Sequence, residues 1–403
     1  LAKGNPVVLA GLDLGTSKTA VAIAAVNNAS LEILGVGESP SIGVQKGIVT
    51  DTESAARSVK QALEKAEKMA GLKIDSAYLS YNGASIQIRN CRIENTAGNI
   101  PANSAGDKKI TGLLETPVVA GIPPDEDPLQ ILSTRIGLTG FGCEARVITA
   151  GSRDLAQLTQ SVRLAGLEPK GIIYGPLAAA EVLLTPAERE LGAILVDIGA
   201  GQTSVSIFDR CMLKETAVFP LAGEHLASDL AIGLRISLGQ AREILWGGSL
   251  ATGVDQTALQ DLAAEPAGPG AGESREHLVR SIIEARAEEI IDVIDETIKS
   301  FNYPGALPGG VILSGGVSGL DGLVLIAEKK LHKPVKIGPQ PQGGIVLRPA
   351  CAGALGLVRY VFKNFTLERK NFSKSGLKES AAKILGWLQV QLNDYKAGQS
   401  KNQ

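Results

Sequence analysis

One phrase in this 403-residue chain is written twice. Val8–Ile23 reads VLAGLDLGTSKTAVAI, and Ile194–Ile207 reads ILVDIGAGQTSVSI. Aligned on Asp13 and Asp197, each runs from an apolar strand through Asp–aliphatic–Gly and a few small or hydroxyl residues into an alternating strand. Apolar residues at a period of two on either side of a glycine-bearing turn describe a β-hairpin. A hairpin repeated at this distance restricts the chain to two similar α/β lobes facing each other across a cleft. The length agrees, being too great for one simple core.

Between and after the hairpins, strand and helix signals alternate. Thr52–Ala70 reads as a helix with Gly71 as its stop, and Asp154–Ala165 as another, followed by Gly166. Leu177–Leu184 reads as a short helix opened by Pro176, Leu278–Phe301 as the longest helix, and Val311–Leu313 as a buried strand. Asn95–Asp107, Gly121–Pro128 and Ala264–Gly272 read as loops from their Asn, Asp, Gly and Pro content. Arg369–Ser375 reads as a polar, basic linker to a last helix.

The turns themselves suggest a ligand. A polyphosphate needs several N–H donors close around it with few side chains in the way, and glycine-rich turns supply them. Gly15, Thr16, Ser17 and Lys18 offer amides, hydroxyls and an ammonium from one lobe; Gly199, Ala200, Gly201, Gln202 and Thr203 offer the same surface from the other. Asp13 and Asp197 end the leading strands, where each is placed to hold Mg²⁺ through water. A third turn, Gly315, Gly316 and Val317, follows a strand and leaves bare backbone for a base and ribose. One such turn alone is an ordinary hairpin, and Lys18 alone an ordinary surface charge. The three in this order point to a nucleotide.

A formal net charge of −2 gives no reason to expect nucleic acid as a partner. Cys91, Cys143, Cys211 and Cys351 are scattered as small buried hydrophobes would be in a reducing compartment. His225, His277 and His332 are too dispersed to suggest a metal site or triad. The start of the chain lacks the pattern of a signal peptide, and no run of apolar residues suffices to span a bilayer, so a cytosolic protein is expected.

The three turns resemble the first phosphate, second phosphate and adenosine motifs of the actin, sugar-kinase and chaperone superfamily. Tyr174–Ala180 (YGPLAAA) and Ala352–Tyr360 (AGALGLVRY) look like its two connecting helices. Within it, GLDLGTSK, the segment Gly43–Gly71 and Leu184–Phe208 (LTPAERELGAILVDIGAGQTSVSIF) resemble the FtsA family of bacterial cell-division proteins. The resemblance implies an α/β, actin-like two-lobed fold with duplicated ribonuclease-H-like cores and an inserted subdomain. Its divisions would be a first core at 1–77, 152–190 and 346–365, the insertion at 78–151, a second core at 191–219 and 302–345, a small subdomain at 220–301, a linker at 366–376 and a terminal helix at 377–396. It further implies ATP with Mg²⁺, head-to-tail self-assembly, the C-terminal tail of FtsZ and other divisome proteins as partners, and a place on the inner face of the cell membrane at the division site. Arg242 stands near the expected ribose and adenine position, where the family usually has a different residue type. Gly175 stands where vigorous ATPases of the superfamily carry a Glu or Gln that orients water, so slow hydrolysis is expected. Arg235, Arg242 and Arg280 are candidates for meeting an acidic FtsZ tail.

Near the end of the chain Ile384, Leu385, Leu388 and Leu392 fall on one helical face with Trp387 at its edge, while Lys378 and Lys383 lie on the polar side. That is the pattern of a helix lying in anionic inner-membrane lipid, and equally of a terminal helix docked on its own core. The basic linker and the resemblance favour lipid. Two other functions fit the superfamily: a pilus-assembly adaptor resembling PilM, and a sugar-kinase-type phosphotransferase, which would need a substrate base that the sequence does not offer.

Overall fold

The structure is a computed structural model that describes residues 7–27, 30–94, 118–136, 142–246, 271–338 and 351–372. The chain opens with β1 (Val7–Leu14), β2 (Lys18–Asn27) and β3 (Ser30–Pro40), a meander in which Asp13 lies opposite Ala20. The short pair β4 (Val44–Gln45) and β5 (Ile48–Val49) leads into α1 (Thr52–Ala70) and then β6 (Ser76–Tyr81), which runs parallel to β1. Asp51 caps α1 by accepting from the amides of Glu53 and Ser54, and Gly71 ends it at φ 69°.

The alternation in β2 now has a cause. Val21 and Ile23 face the core shared with α1, while Ala20, Ala22 and Ala24 face the opposite layer. Both faces are buried, so the polar half of the usual alternation is replaced by alanine. Small residues also set how near the helices sit: a Cβ on Gly37 would lie 2.0 Å from the Ala62 carbonyl of α1.

A second small sheet follows, from β7 (Gln87–Glu94), β8 (Val118–Ala120), β9 (Glu126–Ile136) and β10 (Gly142–Gly151), in the order β8-β7-β10-β9. At its base Tyr81 and Ser85 donate to Asp154 at 2.8 and 2.7 Å, which ties both ends of the insertion to the first lobe. The first lobe resumes with α2 (Ser152–Leu164) and β11 (Glu168–Tyr174); α3 (Gly175–Leu183) and α4 (Pro186–Leu191) then cross to the second.

The second lobe repeats the first. It contains β12 (Ala193–Ile198), β13 (Thr203–Asp209), β14 (Met212–Phe219), α5 (Gly223–Leu234), α6 (Leu238–Trp246), α7 (Ala271–Ser300), β15 (Val311–Ser314), α8 (Leu323–Leu331) and β16 (Val335–Ile337). Its sheet order is β14-β13-β12-β15-β16, against β3-β2-β1-β6-β11 in the first. Each is an antiparallel meander followed by two parallel strands, so the written repeat marks two copies of one topology. The second core joins Ile194, Val196 and Ile207 to Leu226, Ile290 and Ile294 from α5 and α7. Finally α9 (Ala352–Phe372) returns and crosses α3. There a Cβ on Gly356 would sit 2.2 Å from the Ala178 carbonyl, so the two connecting helices meet backbone to backbone.

Four boundaries differ from the sequence reading. The first sheet keeps β6 through Tyr81, beyond the expected start of the insertion at 78. The expected loop Gly121–Pro128 becomes strand from Glu126 onward, because Pro128 sits at a register shift where the ladder tolerates a missing N–H. The expected loop Ala264–Gly272 gives way to α7 at Ala271, and α9 continues to Phe372, through the first part of the expected linker. Loop 95–107 and the terminal helix 377–396, with Lys378, Lys383, Ile384, Leu385, Trp387, Leu388 and Leu392, lie outside the described residues.

Candidate functional site

The two hairpin turns are closed by the same bond. Gly15 donates to the Lys18 carbonyl at 3.0 Å, and Gly199 donates to the Gln202 carbonyl at 3.0 Å. The turns face each other at contact distance: a Cβ on Gly201 would lie 2.6 Å from Thr16 Oγ1 and 3.0 Å from Lys46 Cα. Thr16 Oγ1 accepts from the amide of Gly47 at 2.9 Å. The Gln202 carboxamide lies over Gly47, donates to the carbonyl of Asn82, and leaves its buried Oε1 without a hydrogen-bond partner. Both turns therefore line one cleft.

Asp13 and Asp197 end the strands that lead into the two turns, within electrostatic reach of each other. Asp13 accepts from Ser80 Oγ and, at 3.2 Å, from Asn82 Nδ2. Burial still holds its carboxyl above the usual range, against the opposing pull of Ser80, Lys18 and Asn82. Asp197 is pushed up to about 6, first by burial and then by the negative charge of Asp13, with only the Ser314 hydroxyl opposing. Two carboxylates that destabilise one another across a cleft favour a cation between or beside them.

The third turn adjoins the second. Gly315, at φ 87°, has room for no other residue: its Cβ would lie 2.3 Å from the Ile198 carbonyl and 2.5 Å from Asp197 Oδ1. Gly316 is exposed, with no atom within 4 Å of its would-be Cβ. Val317 is buried beside Gly223 at the start of α5, whose amide donates to the Gly199 carbonyl at 3.1 Å, while Glu224 donates to that of Ala200 at 2.7 Å. Arg242 on α6 reaches Glu224 at 2.6 Å, which places it on this rim.

Other expected residues play different parts. Ser17 is exposed at the tip of its turn. Thr203 is fully buried and gives its hydroxyl to the Leu221 carbonyl at 2.7 Å, so it braces the second turn from beneath. Lys18 is no loose surface charge: only 12% exposed, it pairs with Glu38 at 3.3 Å and reaches Cys351 Sγ at 3.8 Å. Burial pushes that thiol up to about 12. Of the arginines considered for an acidic peptide, Arg242 and Arg280 have partners, while Arg235 is exposed at the left-handed end of α5.

Sequence reading missed Ser80, Asn82, Ser314 and Gly353. Ser80 and Ser314 occupy equivalent places on β6 and β15 and donate to the aspartate of their own lobe. The signal was present: both end apolar strands before a glycine turn, in YLSYNG and VILSGG. A Cβ on Gly353 would lie 2.2 Å from Asp13 Oδ2, and one on Gly175 would lie 1.7 Å from Asn82 Oδ1. Asn82 therefore lies directly against Gly175 and leaves no room there for a side chain.

Comparison with known proteins identifies the family. The chain is 31% identical over 374 residues to the cell division protein FtsA of Pseudomonas aeruginosa, covering 88% of this chain and 89% of that one. The chain belongs to the FtsA family. The family model for cell division protein FtsA matches residues 194–356, and the Bacillus subtilis FtsA is 28% identical over 406 residues, covering 94% of this chain and 89% of that one. Among solved structures, a PilM–PilN type IV pilus biogenesis complex superposes with a TM-score of 0.63 at 17% identity, over 88% of this chain and 98% of that one. The ethanolamine utilization protein EutJ of Carboxydothermus hydrogenoformans gives 0.54 at 18%, over 89% and 92%. MreB5 of Spiroplasma citri bound to ADP gives 0.50 at 13%, over 91% and 99%. These likenesses show the fold, which is actin-like; the FtsA relationship shows the family.

Proposed function

We propose that this FtsA-family chain is a nucleotide-switched, self-assembling tether that links FtsZ filaments to the cell membrane. The observation that carries the nucleotide part is the pair of identically closed turns meeting over Asp13 and Asp197. Amides of Gly15, Thr16 and Ser17 would cradle one side of a triphosphate and those of Gly199, Ala200 and Gly201 the other. Gly315 and Gly316 would leave the base an open backbone ledge beside Val317, with Arg242 and Glu224 at its edge. The residues fit such a group together with its cation: the carboxylates of Asp13 and Asp197 and the unpartnered Gln202 oxygen suit Mg²⁺ and its water, and the third turn is bare.

Among the described residues no group of three or more His, Cys, Asp and Glu converges on one point. A Mg²⁺ ion would therefore take most of its ligands from phosphate and water, with Asp13 and Asp197 as outer partners. The bound nucleotide would supply an electrostatic bridge between the lobes. Gly175, with Asn82 lying over it, supplies no general base toward the phosphate end, so the nucleotide acts as a structural clamp with slow turnover.

The membrane part rests on the basic amphipathic pattern of 377–396 and on the family. Among the described residues no helix is long and apolar enough to cross a membrane. Attachment through one interfacial helix is weak, and filaments strengthen it by presenting many copies. The test is liposome co-sedimentation of the full chain against one ending at Phe372, with and without Mg·ATP. ATP-promoted binding of the full chain to anionic vesicles, absent from the shortened one, is expected. Equal pelleting of both would overturn the tether, and absence of heat on titrating Mg·ATP would overturn the switch.

A further inference from the structure

The inserted sheet carries two groups that the nucleotide site does not use, Gln130 and Arg146, and both converge on one seam. β11 is an edge strand of the first sheet, so its outward backbone groups lack a strand neighbour. Gln130 on β9 supplies one: its Nε2 donates to the Ile172 carbonyl at 3.0 Å and its Oε1 accepts from the Tyr174 amide at 2.8 Å. Tyr174 is fully buried and immediately precedes Gly175. Its hydroxyl crosses to the second lobe, 2.6 Å from Thr216 Oγ1 on β14, which lies 2.8 Å from Ser206 Oγ. One residue away on β14, Glu215 accepts from Arg146 of β10 at 3.0 Å. The insertion therefore holds the site strand of one lobe through Gln130 and the facing edge of the other through Arg146.

We propose that the inserted sheet is a regulatory arm of the cleft, which favours the arrangement in which β11 and β14 are apposed and so couples its own position to lobe closure. Rotation of one lobe against the other separates Tyr174 from Thr216. It also makes the insertion release either Glu215 or the β11 backbone. Interfaces of this kind switch between discrete arrangements rather than stretch. Coupling of binding free energies is reciprocal: whatever closes the cleft orders the insertion, and whatever holds the insertion tightens the cleft by the same factor. That the closing ligand is a nucleotide rests on the function proposed above; the coupling itself does not.

The experiment is hydrogen exchange on the full chain, first without nucleotide. It compares wild type with Gln130→Ala, Arg146→Glu, Glu215→Arg and the double Arg146→Glu/Glu215→Arg. Arg146→Glu and Gln130→Ala are expected to speed exchange severalfold in β11, in β14 and in the two distant turns at Gly15–Lys18 and Gly199–Thr203. The charge-swapped double should return to wild-type rates, which separates a broken pair from a damaged fold. Loosening confined to the inserted sheet, with both turns unchanged, would reduce the arm to a passive strut and overturn the proposal. In a second arm, Mg·ATP is expected to slow exchange in β9 and β10 of wild type. Arg146→Glu should weaken nucleotide affinity by ~5-fold, the low end of usual coupling because the pair is partly solvated. Nucleotide affinity unchanged by Arg146→Glu also counts against the arm. A wild type that binds no nucleotide sinks the proposed switch, while the first arm still decides the coupling.

Discussion

The two aspartates occupy equivalent places in duplicated sheets, yet their surroundings differ. Asp13 is met by Ser80, Asn82 and Lys18; Asp197 has Ser314 alone and faces the charge of Asp13. Two residues beyond each serine the halves diverge again. In the first lobe Asn82 reaches back over Gly175 and toward Asp13; in the second, Gly316 leaves open space. One copy of the unit has become the polar wall and the other the vacant ledge. Duplication supplied the frame, and function lies in the positions where the copies ceased to match.

That asymmetry can be broken from its strongest point downward. Asp197→Asn should weaken Mg·ATP binding by ~10²-fold, the scale of losing a charge-assisted contact, as read by calorimetry. The same variant should raise the melting temperature of the nucleotide-free protein at neutral pH. The sign follows from the raised carboxyl. In the folded chain Asp197 holds its proton up to about pH 6, whereas in the unfolded chain it ionises from 3.8. Stability from this group is therefore present below 3.8 and is lost as pH rises through 6, by roughly 3 kcal/mol at most. Denaturant titrations of wild type and Asp197→Asn should diverge across that window and run parallel above it. A parallel course throughout would mean that the two carboxylates do not oppose each other.

A smaller effect tests the wall. Gly175→Ala drives a methyl group into the Asn82 carboxamide and should cost about 1–3 kcal/mol, with much of that recovered when Asn82→Ala is added. On the ledge, Gly316→Ala should change stability by less than ~0.5 kcal/mol, since the new methyl meets nothing, while nucleotide affinity falls. If both alanines behaved alike, the contrast between wall and ledge would fail.

Much of the frame was legible before the structure. The hairpin repeat, α1 with Gly71 at its end, and the small residues of YGPLAAA and AGALGLVRY carried local signals that the packing agrees with. What escaped reading was set by distant partners. Ser80 and Ser314 matter only because a parallel strand brings them beside an aspartate far away in sequence. Lys18 looked free because Glu38 reaches it across the β2–β3 meander, and Thr203 looked available because nothing local shows its hydroxyl turned toward Leu221. Element ends failed for a related reason: the start of β9 at Glu126 is fixed by its ladder to β10, which overrides the turn-forming residues just before it.

The crossing of α3 and α9, where Gly356 rests on the Ala178 carbonyl, bears on how fast the molecule changes shape. Most helix contacts interlock side chains, so turning one helix over another means lifting knobs out of grooves. Here the point of closest contact is main chain on main chain, so at the pivot itself there is no knob to lift, while Leu355, Val358 and the Lys363–Glu181 pair bind the helices on either side of it. Such a bearing removes one source of resistance to turning without favouring either end of the stroke. The pace of opening is thereby left to the groups at the mouth of the cleft rather than to its axle.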